Sequence, residues 1–95
     1  NGTYNVTLIT PFGPKEGTIV FTDRNGVLSG YIHAMGDTSD FKSGKINGNA
    51  FEFSGILNAG FFNIKYTAKG TIERNALKGT VNTNLGTFQM SGVKA

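Results

Sequence analysis

Apolar and polar residues alternate along most of this chain, and turn-forming residues interrupt the alternation about every ten positions. A period of two places successive side chains on opposite faces of an extended strand. No window carries a helical period with its caps. The clearest run is Phe62 to Glu73, where Phe62, Ile64, Tyr66, Ala68, Gly70 and Ile72 share one parity while Asn63, Lys65, Thr67, Lys69, Thr71 and Glu73 share the other. Phe51 and Phe53 alternate with Glu52 and Ser54, Leu77 and Val81 with Lys78, Thr80 and Asn82, and Leu28 and Ile32 with Ser29, Tyr31 and His33. Weaker strands are predicted over Tyr4 to Thr10, Gly17 to Thr22, Thr38 to Ile46 and Thr87 to Val93.

Between these runs stand residues that tolerate positive φ or stiffen a turn: Asp23-Arg24-Asn25-Gly26, Met35-Gly36, Asn47-Gly48-Asn49, Arg74-Asn75-Ala76, Asn84-Leu85-Gly86 and Pro11-Phe12-Gly13-Pro14. About eight short antiparallel strands with no helix to cover a face must close into a barrel or fold into a sandwich to avoid exposed edges, and the features below favour the barrel. The expected fold is therefore all-β, a small antiparallel up-and-down β-barrel, with residues 1–95 forming a single domain. The chain also echoes itself at about half its length. Arg24-Asn25-Gly26-Val27-Leu28-Ser29-Gly30 resembles Arg74-Asn75-Ala76-Leu77-Lys78-Gly79, and Phe41-Lys42-Ser43-Gly44 resembles Phe88-Gln89-Met90-Ser91-Gly92. Leu8 to Gly13 has a looser echo in Ile56 to Phe61. Two four-stranded repeats are expected on that basis.

Glycine placement sharpens the barrel reading. Gly30, Gly55, Gly70, Gly79 and Gly92 fall on the apolar parity of their strands, where a missing side chain weakens a sheet unless the strand coils or something large approaches. Tyr4, Phe21, Phe41, Phe51, Phe53, Phe62, Tyr66 and Phe88 share that face, so large rings set against glycine gaps are expected inside the barrel. The meander beginning Gly2-Thr3-Tyr4-Asn5 resembles the calycin barrels, the streptavidin and lipocalin group, whose chains open on a Gly-x-Trp signature. The match covers those four residues, with Tyr4 in place of the Trp. The resemblance implies an eight-stranded barrel. Avidin-type biotin binding relies on stacked Trp residues and is not implied, because this chain has no Trp.

Composition removes whole classes of function. With no Cys and one His, the chain offers no disulfide framework, no zinc-thiolate site, no Cys nucleophile and no multi-histidine metal site. The longest apolar runs are two or three residues, too short for a membrane-spanning helix, and a soluble folded domain is expected. The chain opens at Asn1 rather than Met, which suggests a processed product or a domain cut from a longer protein. The net charge is +3, with its excess in Lys65, Lys69, Arg74, Lys78 and Lys94 after Gly48. Lys65, Lys69 and Lys78 could form a basic stripe, but single-strand binders interleave such charge with exposed aromatics. Here the rings lie on the opposite parity, so no nucleic-acid partner is expected.

Candidate chemistry is sparse. The Ser-Gly pairs lack the Gly-x-Ser-x-Gly elbow, no acidic segment follows a calcium-loop spacing, and no glycine-rich loop leads into a helix. No cofactor is expected. His33, with Tyr31 and Asp40 nearby, is the one acid/base constellation that can be drawn, although parity puts Tyr31 and His33 on the polar face. Tyr4, Phe53, Tyr66 and Phe88 are the candidate ligand-binding residues, offering rings and two hydroxyls to an apolar or aromatic small molecule. The first expectation is a non-enzymatic binding or accessory domain. The alternatives are an accessory domain of a larger enzyme that contributes His33 and Tyr31, and a structural barrel forming a homo-oligomer through Ile9, Tyr31 and Ile56.

Overall fold

A computed structural model describes residues 2–34, 36–59 and 62–95. Eight strands follow one another: β1 Gly2–Thr10, β2 Gly13–Arg24, β3 Val27–Ala34, β4 Asp37–Asn47, β5 Ala50–Ala59, β6 Phe62–Glu73, β7 Ala76–Thr83 and β8 Gly86–Lys94. Each pairs antiparallel with its chain neighbour, and β8 returns to β1, closing the barrel. This is the expected up-and-down barrel, and its eight-stranded meander is the coarse architecture that the calycin resemblance implies. The strands run 8 to 12 residues; β6 has the bounds that its alternation marked, and the others run longer. β2, for example, starts at Gly13 rather than Gly17, because Pro14 and Lys15 already pair with Ile9 and Leu8.

The turns β1–β2 and β7–β8 lie at one end, called upper here; β2–β3, β4–β5 and β6–β7 lie at the lower end. At the β2–β3 turn Asn25 and Gly26 both take positive φ (56° and 84°), the left-handed pair that matches strand twist, and the Gly26 N–H donates to Asp23 Oδ1 (3.0 Å). At β6–β7 the two turn residues are Arg74 and Asn75, closed by the Glu73–Ala76 pair. The two Arg-Asn dipeptides thus sit one position apart in their turns, while Leu28 and Leu77, each two residues past its turn, are both fully buried. Met35 in the expected Met35-Gly36 turn, and Gly60 and Phe61 in the Leu8 to Gly13 echo, lie outside the described residues, as does the side chain of Phe62.

Inside, the expected rings meet the expected glycines. Gly30 stands directly between Phe21 on β2 and Phe41 on β4, Gly70 is opposite Phe51, and Gly55 is opposite Tyr66. A Cβ on Gly55 would come within 2.6 Å of the Tyr66 hydroxyl, so glycine there is what lets the ring lie across the strand. Phe53, 1% exposed, is the hub: its ring stacks on Phe41 (centroids 4.0 Å, 17°) and meets Phe21 edge-on at 5.7 Å and Tyr66 edge-on at 6.1 Å. Phe51 and Tyr4 extend this ring cluster, and the half-buried Ile46 and Ile72 pack against the core.

One irregularity shapes everything above it. Leu28 pairs with Gly44 but Gly30 pairs with Phe41, so Lys42 and Ser43 both stand opposite Ser29. Both of those side chains face out, the mark of a β-bulge in β4.

Candidate ligand site in the upper half of the barrel

Above the ring cluster the interior changes character. Leu8, Ile32, Leu57, Ile64, Ala68, Val81 and Phe88, with Tyr66 and Thr83, enclose a cavity of about 10 Å³. That is about the room one water-sized sphere needs, far below the ~300 Å³ of an ordinary small-molecule pocket. The walls are aliphatic except for the Phe88 ring, the ring of Tyr66 and the half-buried Thr83. The Tyr66 hydroxyl, buried, passes over Gly55 and donates to Ser39 Oγ on β4 (3.0 Å). Desolvation by burial raises the Tyr66 pKa above its ordinary value; the Ser39 hydrogen bond opposes that rise and the charge of Asp40 adds to it. Among the described residues no buried side-chain polar atom lacks a partner.

The rim above the cavity is built by one repeated device. Thr10 Oγ1 donates to the Gly13 carbonyl (2.8 Å) and accepts from the Phe12 N–H (3.1 Å). Thr83 Oγ1 donates to the Gly86 carbonyl (2.7 Å) and accepts from the Leu85 N–H (2.9 Å). Each threonine hydroxyl thereby locks its two-residue turn. Because β1 and β8 are neighbours, the two locked turns stand side by side and present Phe12 (67% exposed) and Leu85 (41%) at their tips. Asn84 reaches over to β6, accepting from the Lys65 N–H (3.1 Å) and donating to the Asn63 carbonyl (3.2 Å).

All four candidate ligand residues point inward, but the structure divides them. Tyr66 and Phe88 line the cavity, whereas Tyr4 and Phe53 belong to the ring cluster and do not reach it. Tyr4 packs edge-on against Phe21 at 5.8 Å. Sequence reasoning missed Ser39, Leu57 and Ile32. The two apolar residues sit on the buried parity, and only the pairing across Gly55 identifies Ser39 as the partner of Tyr66.

The acid/base candidates lie on the outer wall. Tyr31 and His33 pair across strands with Asp40 and Thr38, and all four are exposed. His33 Nδ1 is 2.7 Å from Thr38 Oγ1 and borders a shallow groove with Glu16, Thr18, Asn5 and Thr7. No wall shields this set from water, the condition an acid/base centre needs. Ile9, Tyr31 and Ile56, the residues considered for self-association, are all exposed on β1, β3 and β5. Tyr31 is level with Thr3 of β1 through Val20, six residues from Ile9, so these two do not form one patch. Lys69 pairs with Glu52 (3.5 Å) on an exposed face. Among the described residues no group of three His, Cys, Asp or Glu is placed to hold a metal ion, and no helix is long and apolar enough to cross a membrane.

No family model and no curated protein matches the chain. Solved structures do. A redesigned β-barrel, mFAP1, bound to DFHBI superimposes with a TM-score of 0.66 at 16% identity, over 98% of this chain and 91% of that one. A second redesigned β-barrel gives 0.64 at 17% identity, over 98% and 87%. At such identities the likeness establishes a shared barrel fold.

Proposed function

We propose that this barrel is a non-enzymatic binding domain that takes a small apolar or aromatic molecule into its upper half. The observation that carries the reading is the uneven filling of the interior. The lower half is closed by interlocked rings, whereas the upper half is walled by aliphatic side chains and the Tyr66 and Phe88 rings around a residual cavity. Small-molecule sites are lined predominantly by hydrophobic and aromatic side chains, as this cavity is. The barrel that binds DFHBI supports the reading by showing that a similar scaffold can hold a guest of that kind.

With about 10 Å³ free, any guest larger than water must push wall side chains aside. Leu57 and Phe88 are the natural ones to move, since both border the cavity, and the cost of repacking holds affinity to weak or moderate values. Titration calorimetry against a panel of planar aromatic fragments, DFHBI included, tests the proposal. At least one member should bind with a negative heat-capacity change. Silence across the panel would leave a filled scaffold as the better account.

A further inference from the structure

The seam between β4 and β5 is held differently from every other seam. Its backbone ladder consists of Lys45–Glu52, Ile46–Phe51 and Asn47–Ala50, all at the lower end. The other seven seams carry six to ten pairs each. The bulge in β4 explains the difference: above Lys42 and Ser43 the strand follows β3, and its ladder with β5 ends. Among the described residues, contacts that each involve a side chain tie the upper seam. From the bulge upward they are the Phe41–Phe53 stack, the Tyr66–Ser39 hydrogen bond across Gly55, and the Asn58 N–H donating to Asp37 Oδ2 (2.9 Å).

Behind this seam lies the cavity, with Leu57 and Tyr66 on one flank and Ile32 on the other. On the upper rim the two threonine-locked turns fix the β1–β2 and β7–β8 ends, and Asn84 ties the second of them to β6. Local opening follows the line with the fewest backbone hydrogen bonds, and that line is the upper β4–β5 seam.

We infer that a ligand enters sideways, between the upper halves of β4 and β5, and that the Tyr66–Ser39 hydrogen bond is the latch it displaces. A planar aromatic alcohol suits both steps, because its ring slides between strands and its hydroxyl replaces the one each partner gives up. The inference rests on the binding function proposed above, and the test separates the two.

The chain has no Cys, so Ser43→Cys with Ser54→Cys creates one cross-link and no mispairing. Both sites face outward beside the point where a Cβ on Gly44 would lie 3.0 Å from Phe53 Cβ, which brings the strands within disulfide reach. Naphthol association is followed by stopped-flow fluorescence for the oxidised and reduced forms. Oxidation should slow association by about tenfold or more while the equilibrium Kd stays within about threefold. Equal rates in the two forms, with binding intact, overturn sideways entry and leave the binding function standing. Absence of naphthol binding by both the reduced and the unmodified protein overturns both. The second variant, Ser39→Ala with Tyr66→Phe, removes the latch and should quicken association at least about threefold. An unchanged or slower rate refutes the latch.

Discussion

The Ser39–Tyr66 pair can be weighed by a double-mutant cycle. Tyr66 is 4% exposed and Ser39 5%, and their hydroxyls lie 3.0 Å apart with Gly55 beneath. Tyr66→Phe leaves the Ser39 hydroxyl buried without its partner, and Ser39→Ala does the same to the phenol. Each single change should therefore cost ~1–3 kcal/mol. Changing both removes donor and acceptor together, so the second substitution should add little to the first. The coupling is then on the order of 1–2 kcal/mol, well above the ~0.5 kcal/mol expected of independent sites. Equilibrium urea unfolding of the four proteins, compared at constant m, reads it directly. Strictly additive losses would refute the idea that the two hydroxyls satisfy one another, and would remove the latch as well.

The raised pKa of Tyr66 has a pH consequence. The folded state favours the neutral phenol, so this stabilisation is complete below the unfolded value of 10.0 and is lost as pH rises through the folded one. Alkaline unfolding should be steeper in the wild type than in Tyr66→Phe, and Tyr66 should ionise late in a phenolate absorbance titration. Phe53→Ala removes the hub of the ring cluster and should cost about 3–5 kcal/mol in urea unfolding, whereas a loss under about 1 kcal/mol would contradict its burial. Gly79→Val should lower the melting temperature clearly, because a Cβ there would strike the Lys69 carbonyl and the Cα of Gly70 on β6. Gly30→Val should do the same, its Cβ striking the Val20 carbonyl. Unaltered melts would mean that the strands do not approach this closely.

Much of the barrel was legible in residue types. Alternation in Phe62 to Glu73 and in Leu77 to Val81 assigned strands and faces, and glycines on the apolar parity anticipated rings lying over them, as Gly30 and Gly55 do. Local patterning carries that information because inward and outward environments differ sharply in polarity. What stayed hidden depends on distant pairing. The bulge at Lys42 and Ser43 leaves Phe41 and Gly44 both buried three residues apart, a spacing that simple alternation forbids. Nothing local to β4 announces that its ladder with β5 will stop there. Nor could parity divide four inward-facing aromatics between a packed half and a cavity, since height along the barrel follows from the register between strands. Ser39, a small polar residue on an inward position, acquires meaning only beside Tyr66.

The central claim, that the upper half of the barrel receives a small aromatic guest, is tested most directly by methyl-resolved NMR during a naphthol titration. The methyls of Leu8, Ile32, Leu57, Ile64 and Val81 around the cavity should shift progressively and saturate, while those of Leu28 and Leu77 near the lower end hold still. Saturating shifts centred on Leu28 and Leu77, or unmoved methyls up to the solubility limit of naphthol, would contradict it.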